Sequence, residues 1–465
     1  MSESAARLRR LCAGAAAALS LALLPAGVSA GGTTVITGTT TEASGLVSQY
    51  KIEVPSPWNG TLVLYSHGYS FGPSAATDVG DADTGAWLLS NGYALAGSSF
   101  ATSGWALEQA FQDQIAVLDV FDAKVGHPTR TIAWGHSLGG MITAGLVQLY
   151  PNRFTAALPM CGVVAGGPGV WNQGLDSEFA LETLLAPGAF KLVNFTAGDV
   201  AANFGAASGA LASAQTTPQG RARIALSAAL ADVPGWFDPA SPQPAATDYT
   251  SQEVNQFNWD NNPDFLFGFF GRFELELRAG GNFSWNTGVN YRTQLAHSAD
   301  RAEVAALYKA AGLDLKKDLK TLNDAPRIAA DPSAVDYVTK FITYNGDLDM
   351  PVLTMHTTGD GLVEVTDEQA YASVVRSAGD NSRLRQVFVH RAGHCAFTSA
   401  ETIAAFQTLV HRINTGHWQD ISPAAMNSQA SALGSPYNSA PASFIKFHPA
   451  QFLRPFDARN VENSD

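Results

Sequence analysis

The sequence predicts an α/β chain: an open, mostly parallel eight-stranded sheet covered by helices on both faces, with a mainly helical cap inserted after the sixth strand. Three observations carry this expectation. Short apolar runs alternate with helical patterns; the series stops between Cys161 and Pro351 and then resumes; and a Gly-x-Ser-x-Gly turn separates the fifth run from the helix after it.

The strand-like runs are Thr34–Thr40, Gln49–Val54, Thr61–Ser66, Tyr93–Ser99, Thr129–Trp134, Thr155–Met160, Pro351–His356 and Arg385–His390. The clearest helix is Ala106–Lys124, where Leu107, Phe111, Ile115 and Leu118 share one face and Gln109, Asp113 and Asp122 fall elsewhere. After Asp300, a capping acid with Glu303 three residues on precedes Val304, Leu307, Tyr308 and Ala311 on one face. These limits divide the chain into a discontinuous core, 31–162 and 345–465, and a cap, 163–344. The last stretch, 421–465, is rich in Ser, Ala, Pro and Asn, and is expected to run extended over the surface or to be partly disordered.

Residues 1–30 read as a cleaved export signal. Arg7, Arg9 and Arg10 precede an Ala/Leu-rich run to about Leu24, and Val28-Ser29-Ala30 fits a small-residue cleavage site. That run is short for a membrane span, and no later stretch approaches the ~20 apolar residues needed. The expectation is a soluble, secreted protein. The formal net charge is −13 without Lys/Arg runs, so neither nucleic acid nor an anionic membrane is an expected partner. At 465 residues the chain exceeds one comfortable core, in keeping with two structural units.

The chemistry centres on Trp134-Gly135-His136-Ser137-Leu138-Gly139-Gly140. Strand, turn and amphipathic helix (Met141, Ile142, Leu146, Leu149) together describe a nucleophile elbow, in which flanking glycines let a strained serine stand clear. A serine hydroxyl needs a base, and the base an orienting acid. His394 in His390-Arg391-Ala392-Gly393-His394-Cys395 is the candidate base; His390, its competitor, belongs to the preceding strand. Asp360, between Gly359 and Gly361, is the candidate acid, with Glu364 and Asp367 expected to be solvated or to start the next helix. The backbone N–H of Leu138, at a helix N-terminus, and that of Tyr69, in the His67-Gly68-Tyr69 loop after the third strand, are the candidate oxyanion donors.

The order Ser137, Asp360, His394, the His67-Gly68 loop and the Pro351-Val352-Leu353 strand before the acid resemble the α/β-hydrolase superfamily. The resemblance implies ester, thioester or amide hydrolysis through an acyl-enzyme, without a cofactor. The His394-Cys395 pair is also similar to the tannase and feruloyl esterase family, in which that cysteine is bonded to one just before the serine. Here His136 stands before Ser137. Cys161, at the end of the sixth strand, is a substitute partner for Cys395; the alternative is two buried free thiols.

Between residues 190 and 291 the cap is crowded with Phe, Trp and Tyr, which build its core and suggest an aromatic-lined pocket over Ser137. Such a pocket suits hydrophobic or aromatic acyl esters better than charged substrates. His356, His411 and His417 lack partners at metal-ligand spacing and read as structural or solvated, so no metal is expected. The leading expectation is an exported serine hydrolase of small-molecule carboxylic esters. The first rival is an exopeptidase of the same fold, needing acids such as Glu178, Glu182, Glu274 and Glu276 to hold a free amino terminus. A binding protein that keeps the fold would usually have lost one of the three candidate catalytic residues, and all three are present.

Overall fold

In the computed structural model, residues 27–28 and 32–456 are described. Eight strands carry the fold: β1 (Thr34–Thr41), β2 (Val47–Val54), β3 (Thr61–Ser66), β4 (Ala94–Ser98), β5 (Arg130–His136), β6 (Ala156–Met160), β7 (Val352–Gly359) and β8 (Leu384–Ala392). Their spatial order is β1-β2-β4-β3-β5-β6-β7-β8, extended at its ends by the two-residue strands Gly27–Val28 and Phe444–Ile445. β2 runs antiparallel to β1 and β4, and the chain from β4 through β8 is parallel. This is the α/β-hydrolase fold expected from the sequence. The proposed signal segment lies outside the described residues apart from Gly27–Val28, which pair with Val35 and Thr34.

Period-two alternation explains why both faces are covered. Leu62, Leu64, Ala133 and Ala157 pack on one side with Phe111, Leu118, Met141 and Leu146, from helices Leu107–Lys124 and Leu138–Leu149. Val63, Tyr65, Ile132, Trp134 and Leu158 face the other side, against Phe406 and Leu409 of helix Ser399–Thr415. All five or six residues of β3, β4 and β6 are buried, as befits strands covered twice.

The insertion between β6 and β7 is helical, running from Gly167–Leu185 to Pro332–Ile342. It has a core of its own, where Phe179, Leu211, Leu226, Phe269, Tyr291 and Leu322 meet. Among the described residues no helix is long and apolar enough to cross a membrane.

Two local expectations need correction. Gln109 and Asp113 are buried, not on an outer face. Asp113 Oδ2 accepts the Ala101 N–H at 2.7 Å, and burial raises its pKa to about 6. Asp300 precedes helix Arg301–Ala311 without a side-chain cap bond, and Glu303 is buried, accepting from Gln256 Nε2 at 3.2 Å. Of the tail, 457–465 lie outside the described residues, and 434–456 run largely without helix or strand along the surface, but the segment is docked at several points. Ser422 caps helix Pro423–Ala432, Phe444–Ile445 adds to β8, Phe452 is buried, and Arg454 pairs with the buried Asp176 of the insertion. Met426, Ala430 and Phe452 supply the apolar anchors that a Ser/Ala/Pro/Asn composition conceals.

Candidate active site

β5 continues through His136, so the strand delivers Ser137 directly into the turn before helix Leu138–Leu149. Ser137 adopts φ 59°, ψ −124°, a left-handed conformation that costs a non-glycine residue ~1–3 kcal/mol. The flanking glycines are required by contact. A Cβ on Gly139 would lie 1.9 Å from Ser66 O, and one on Gly135 2.5 Å from both Ser66 O and Gly139 O. The hydroxyl makes no cap bond to its own helix and is free to face outward.

β7 ends at Gly359, immediately before Asp360, and β8 ends at Ala392, two residues before His394. Gly393 N donates to Gly359 O at 2.9 Å and Thr357 Oγ1 donates to Gly393 O at 2.7 Å, which ties the two loops together. His394 Nε2 lies 2.8 Å from Ser137 Oγ, and its Nδ1 lies 2.8 Å from Asp360 Oδ2. Asp360 is buried, and its other oxygen accepts the N–H groups of Leu362 and Val363 at 3.1 Å each. Burial alone would raise its pKa, but the imidazoles of His394 and His356 hold the carboxyl well below the usual range.

His356 was expected to be merely structural or solvated, and its position is more specific. It is fully buried, with Nε2 2.9 Å from Val363 O and 3.6 Å from Asp360 Oδ2, and Nδ1 3.3 Å from Glu368 Oε1. Burial opposes its charge, yet the two carboxylates beside it raise its pKa to about 10. Its i,i+4 spacing to Asp360 was the available signal. Asp367 opens helix Asp367–Ala378 as expected, but it is buried and accepts from Ala165 N at 3.3 Å. His390 remains within β8, its ring centroid 5.0 Å from that of Trp236, away from Ser137.

The His67-Gly68-Tyr69 loop passes over the serine: a Cβ on Gly68 would sit 3.5 Å from Ser137 Cβ. His67 Nδ1 meets Gly68 O at 2.7 Å and its ring stacks on Phe100, which holds the peptide leading to Tyr69. Cys161 and Cys395 form a disulfide between the end of β6 and the His394 loop. It closes a sequence separation of 234 residues, worth up to ~5 kcal/mol in the chain-entropy account. In protein lacking the first thirty residues, denaturation should expose no titratable thiol before reduction and two afterwards. Two without reductant would contradict the bridge.

A pocket opens over Ser137 between sheet and insertion. Tyr69, Trp105, Trp171, Phe265 and Phe267 supply aromatic walls, Leu138, Val163, Val170 and Val233 aliphatic ones. It is not wholly apolar, as the aromatic run had suggested. Glu178, Asp260, Asp264, Glu364 and Arg272 also line it. Of the four acids weighed for an amino-terminus site, only Glu178 reaches it. Glu274 is held by Arg278 and Trp105 N, Glu276 by the N–H groups of Asn194 and Phe195, and Glu182 by Gly188 N.

The family model of the prolyl oligopeptidase family (Peptidase_S9) matches residues 91–165, the stretch that holds the elbow. An o-phthalyl amidase of Xanthobacter agilis is 29% identical over 413 residues, covering 83% of this chain and 89% of that one. Among solved structures, feruloyl esterase B from Aspergillus oryzae is 15% identical with a TM-score of 0.42, over 83% of this chain and 82% of that one. The cell wall degrading esterase LipA from Xanthomonas oryzae is 13% identical with a TM-score of 0.36, over 82% and 88%.

Proposed function

We propose that this chain, a serine hydrolase of the α/β-hydrolase superfamily, cleaves carboxylic esters of aromatic acyl groups through an acyl-enzyme on Ser137. One observation carries the reading: the hydrogen-bonded series Ser137–His394–Asp360, with contacts of 2.8 Å, opens onto an aromatic-walled pocket. In this mechanism Ser137 Oγ attacks the carbonyl as His394 Nε2 takes its proton. The N–H groups of Leu138 and Tyr69 receive the oxyanion, and Asp360 stabilises the imidazolium. Collapse expels the alcohol, which takes the proton back from His394. Water then repeats the sequence and frees the acid.

Amide cleavage is the second reading, favoured by the likeness to o-phthalyl amidase over most of both chains. The residues are the same; what changes is that His394 must protonate an amine as it leaves. Export fits the basic and apolar N-terminal segment and the disulfide, since such bridges persist in oxidising compartments.

Fluorophosphonate labelling with peptide mapping tests the nucleophile, and matched p-nitrophenyl esters and p-nitroanilides of benzoate test the bond. Label should appear on the peptide containing Ser137. Label elsewhere ends the acyl-enzyme assignment, and negligible ester turnover beside rapid anilide turnover ends the ester reading.

A further inference from the structure

Helix Gly167–Leu185 of the insertion turns Val170, Trp171, Gly174, Ser177 and Glu178 to the cavity over Ser137, the i, i+1, i+4, i+7, i+8 spacing of one helical face. Gly174 is at the centre of that face and is the one member without a side chain. In mid-helix a glycine weakens the element relative to alanine, because it gives up more backbone freedom on folding. Such a residue calls for a reason. Two other glycines of the same helix have one. A Cβ on Gly167 would lie 2.3 Å from Ile342 Cδ1, and one on Gly169 3.1 Å from Phe452 Cε1 and 3.2 Å from Arg454 O. A Cβ on Gly174 would meet nothing within 4 Å, and its backbone is helical, not left-handed. Neither packing nor conformation asks for glycine there.

The open space beside Gly174 belongs to the cavity. Gly174 is half-buried, while Trp171, Asn172, Gln173, Leu175 and Asp176 around it are buried. The cavity measures about 120 Å³. That is comparable with the ~150 Å³ of an engineered apolar cavity that admits one benzene ring. One added side chain would take a large share of it. Ser137 and the proposed oxyanion donors Leu138 and Tyr69 wall the cavity, whereas His394, which must reach the departing atom, does not. The part of a bound substrate that fills this space is then the acyl group.

We propose that Gly174 is the specificity-determining residue of the acyl pocket. Its missing side chain makes room for an acyl group as large as one ring, and any larger residue there restricts the protein to short acyl chains. The assignment rests on the hydrolytic reading above. It also accounts for a helix-weakening residue at a position where the fold would accept a side chain.

The test compares acetyl and benzoyl substrates of one leaving group, prepared as p-nitrophenyl esters and as p-nitroanilides so that either bond can report. A second pair keeps the acetyl group and replaces the leaving group by its 2-naphthyl counterpart. Gly174→Ala should lower the benzoyl-to-acetyl ratio of kcat/KM by about tenfold, the lower end of what one carbon is worth in a close-fitting pocket. Gly174→Leu should lower it further, and the leaving-group ratio should stay at the wild-type value in both. Gly174→Ala should also unfold at a denaturant concentration no lower than the parent does. An unchanged benzoyl-to-acetyl ratio, a change confined to the leaving-group pair, or a lower unfolding midpoint for the alanine variant would each overturn the proposal. Should the leucine variant not fold, the alanine variant decides alone. Failure of the alanine variant to fold would itself show that the glycine serves packing, and would end the assignment. Fluorophosphonate label at Ser137 with an unchanged acyl ratio removes this assignment and leaves the hydrolysis; absence of label on wild-type Ser137 removes the hydrolysis itself.

Discussion

Ser137→Ala is expected to lower kcat by about a millionfold while leaving substrate binding measurable. The loss is large because, in the proposed mechanism, Oγ is the atom that bonds to the acyl carbon; with it gone, His394 would have nothing to activate but water. Residual turnover of ~10³–10⁴ over the uncatalysed rate should survive, from the Leu138 and Tyr69 N–H groups and from the pocket walls. The measurement pairs steady-state kinetics with direct titration of a slow substrate. A variant that keeps more than a few per cent of wild-type kcat would mean that another group bonds to the acyl carbon. The variant should also be no less stable than the parent, because the elbow conformation at φ 59° taxes any non-glycine residue alike.

The parts that could be read from sequence are those encoded locally. The sheet was legible because Leu62-Val63-Leu64-Tyr65 and Ile132-Ala133-Trp134 are apolar on both alternations, which only a doubly covered strand requires. Ser137, Asp360 and His394 could be nominated because each follows a strand at a glycine-bearing turn, in the chain order this fold uses. What escaped depends on residues distant in sequence. The burial of Arg272 is set by Trp171, Phe283 and Ser284, and no local pattern separates it from a surface arginine. Asp260 and Asp264 sit in π-helical turns that a 3.6-residue periodicity cannot register. The docking of the tail is not legible because its composition is polar while its few apolar residues are the ones that dock. Arg454 reaches Asp176 and donates to Trp285 O at 2.9 Å, contacts between residues far apart in the chain.

Asp360→Asn should cost about 10⁴ in kcat, less than loss of the serine but with a more informative signature. An amide in that place can present its NH₂ to His394 Nδ1, fixing the tautomer whose Nε2 carries a proton and cannot accept one from Ser137. It also offers no charge to the imidazolium formed during attack. The same substitution reaches His356, which loses one of its two carboxylate neighbours while Glu368 remains at 3.3 Å. The pKa of His356, about 10 in the parent, should therefore fall. The sign of the accompanying stability change follows by linkage. A histidine raised in the folded state contributes fully below its unfolded pKa of ~6.5, and the contribution fades as pH climbs to about 10. The parent should thus lose stability across that alkaline interval, and the variant should lose less over the same range. Asp360, held low in the folded state, contributes above its unfolded pKa and loses that contribution only as pH falls through the depressed value, so its own share is absent from the alkaline interval. Denaturant midpoints from pH 6 to 10, with imidazole resonances followed by NMR, separate the two effects. A variant with parental kcat would remove Asp360 from the mechanism, and an unchanged alkaline slope would mean that His356 takes its charge from Glu368 alone.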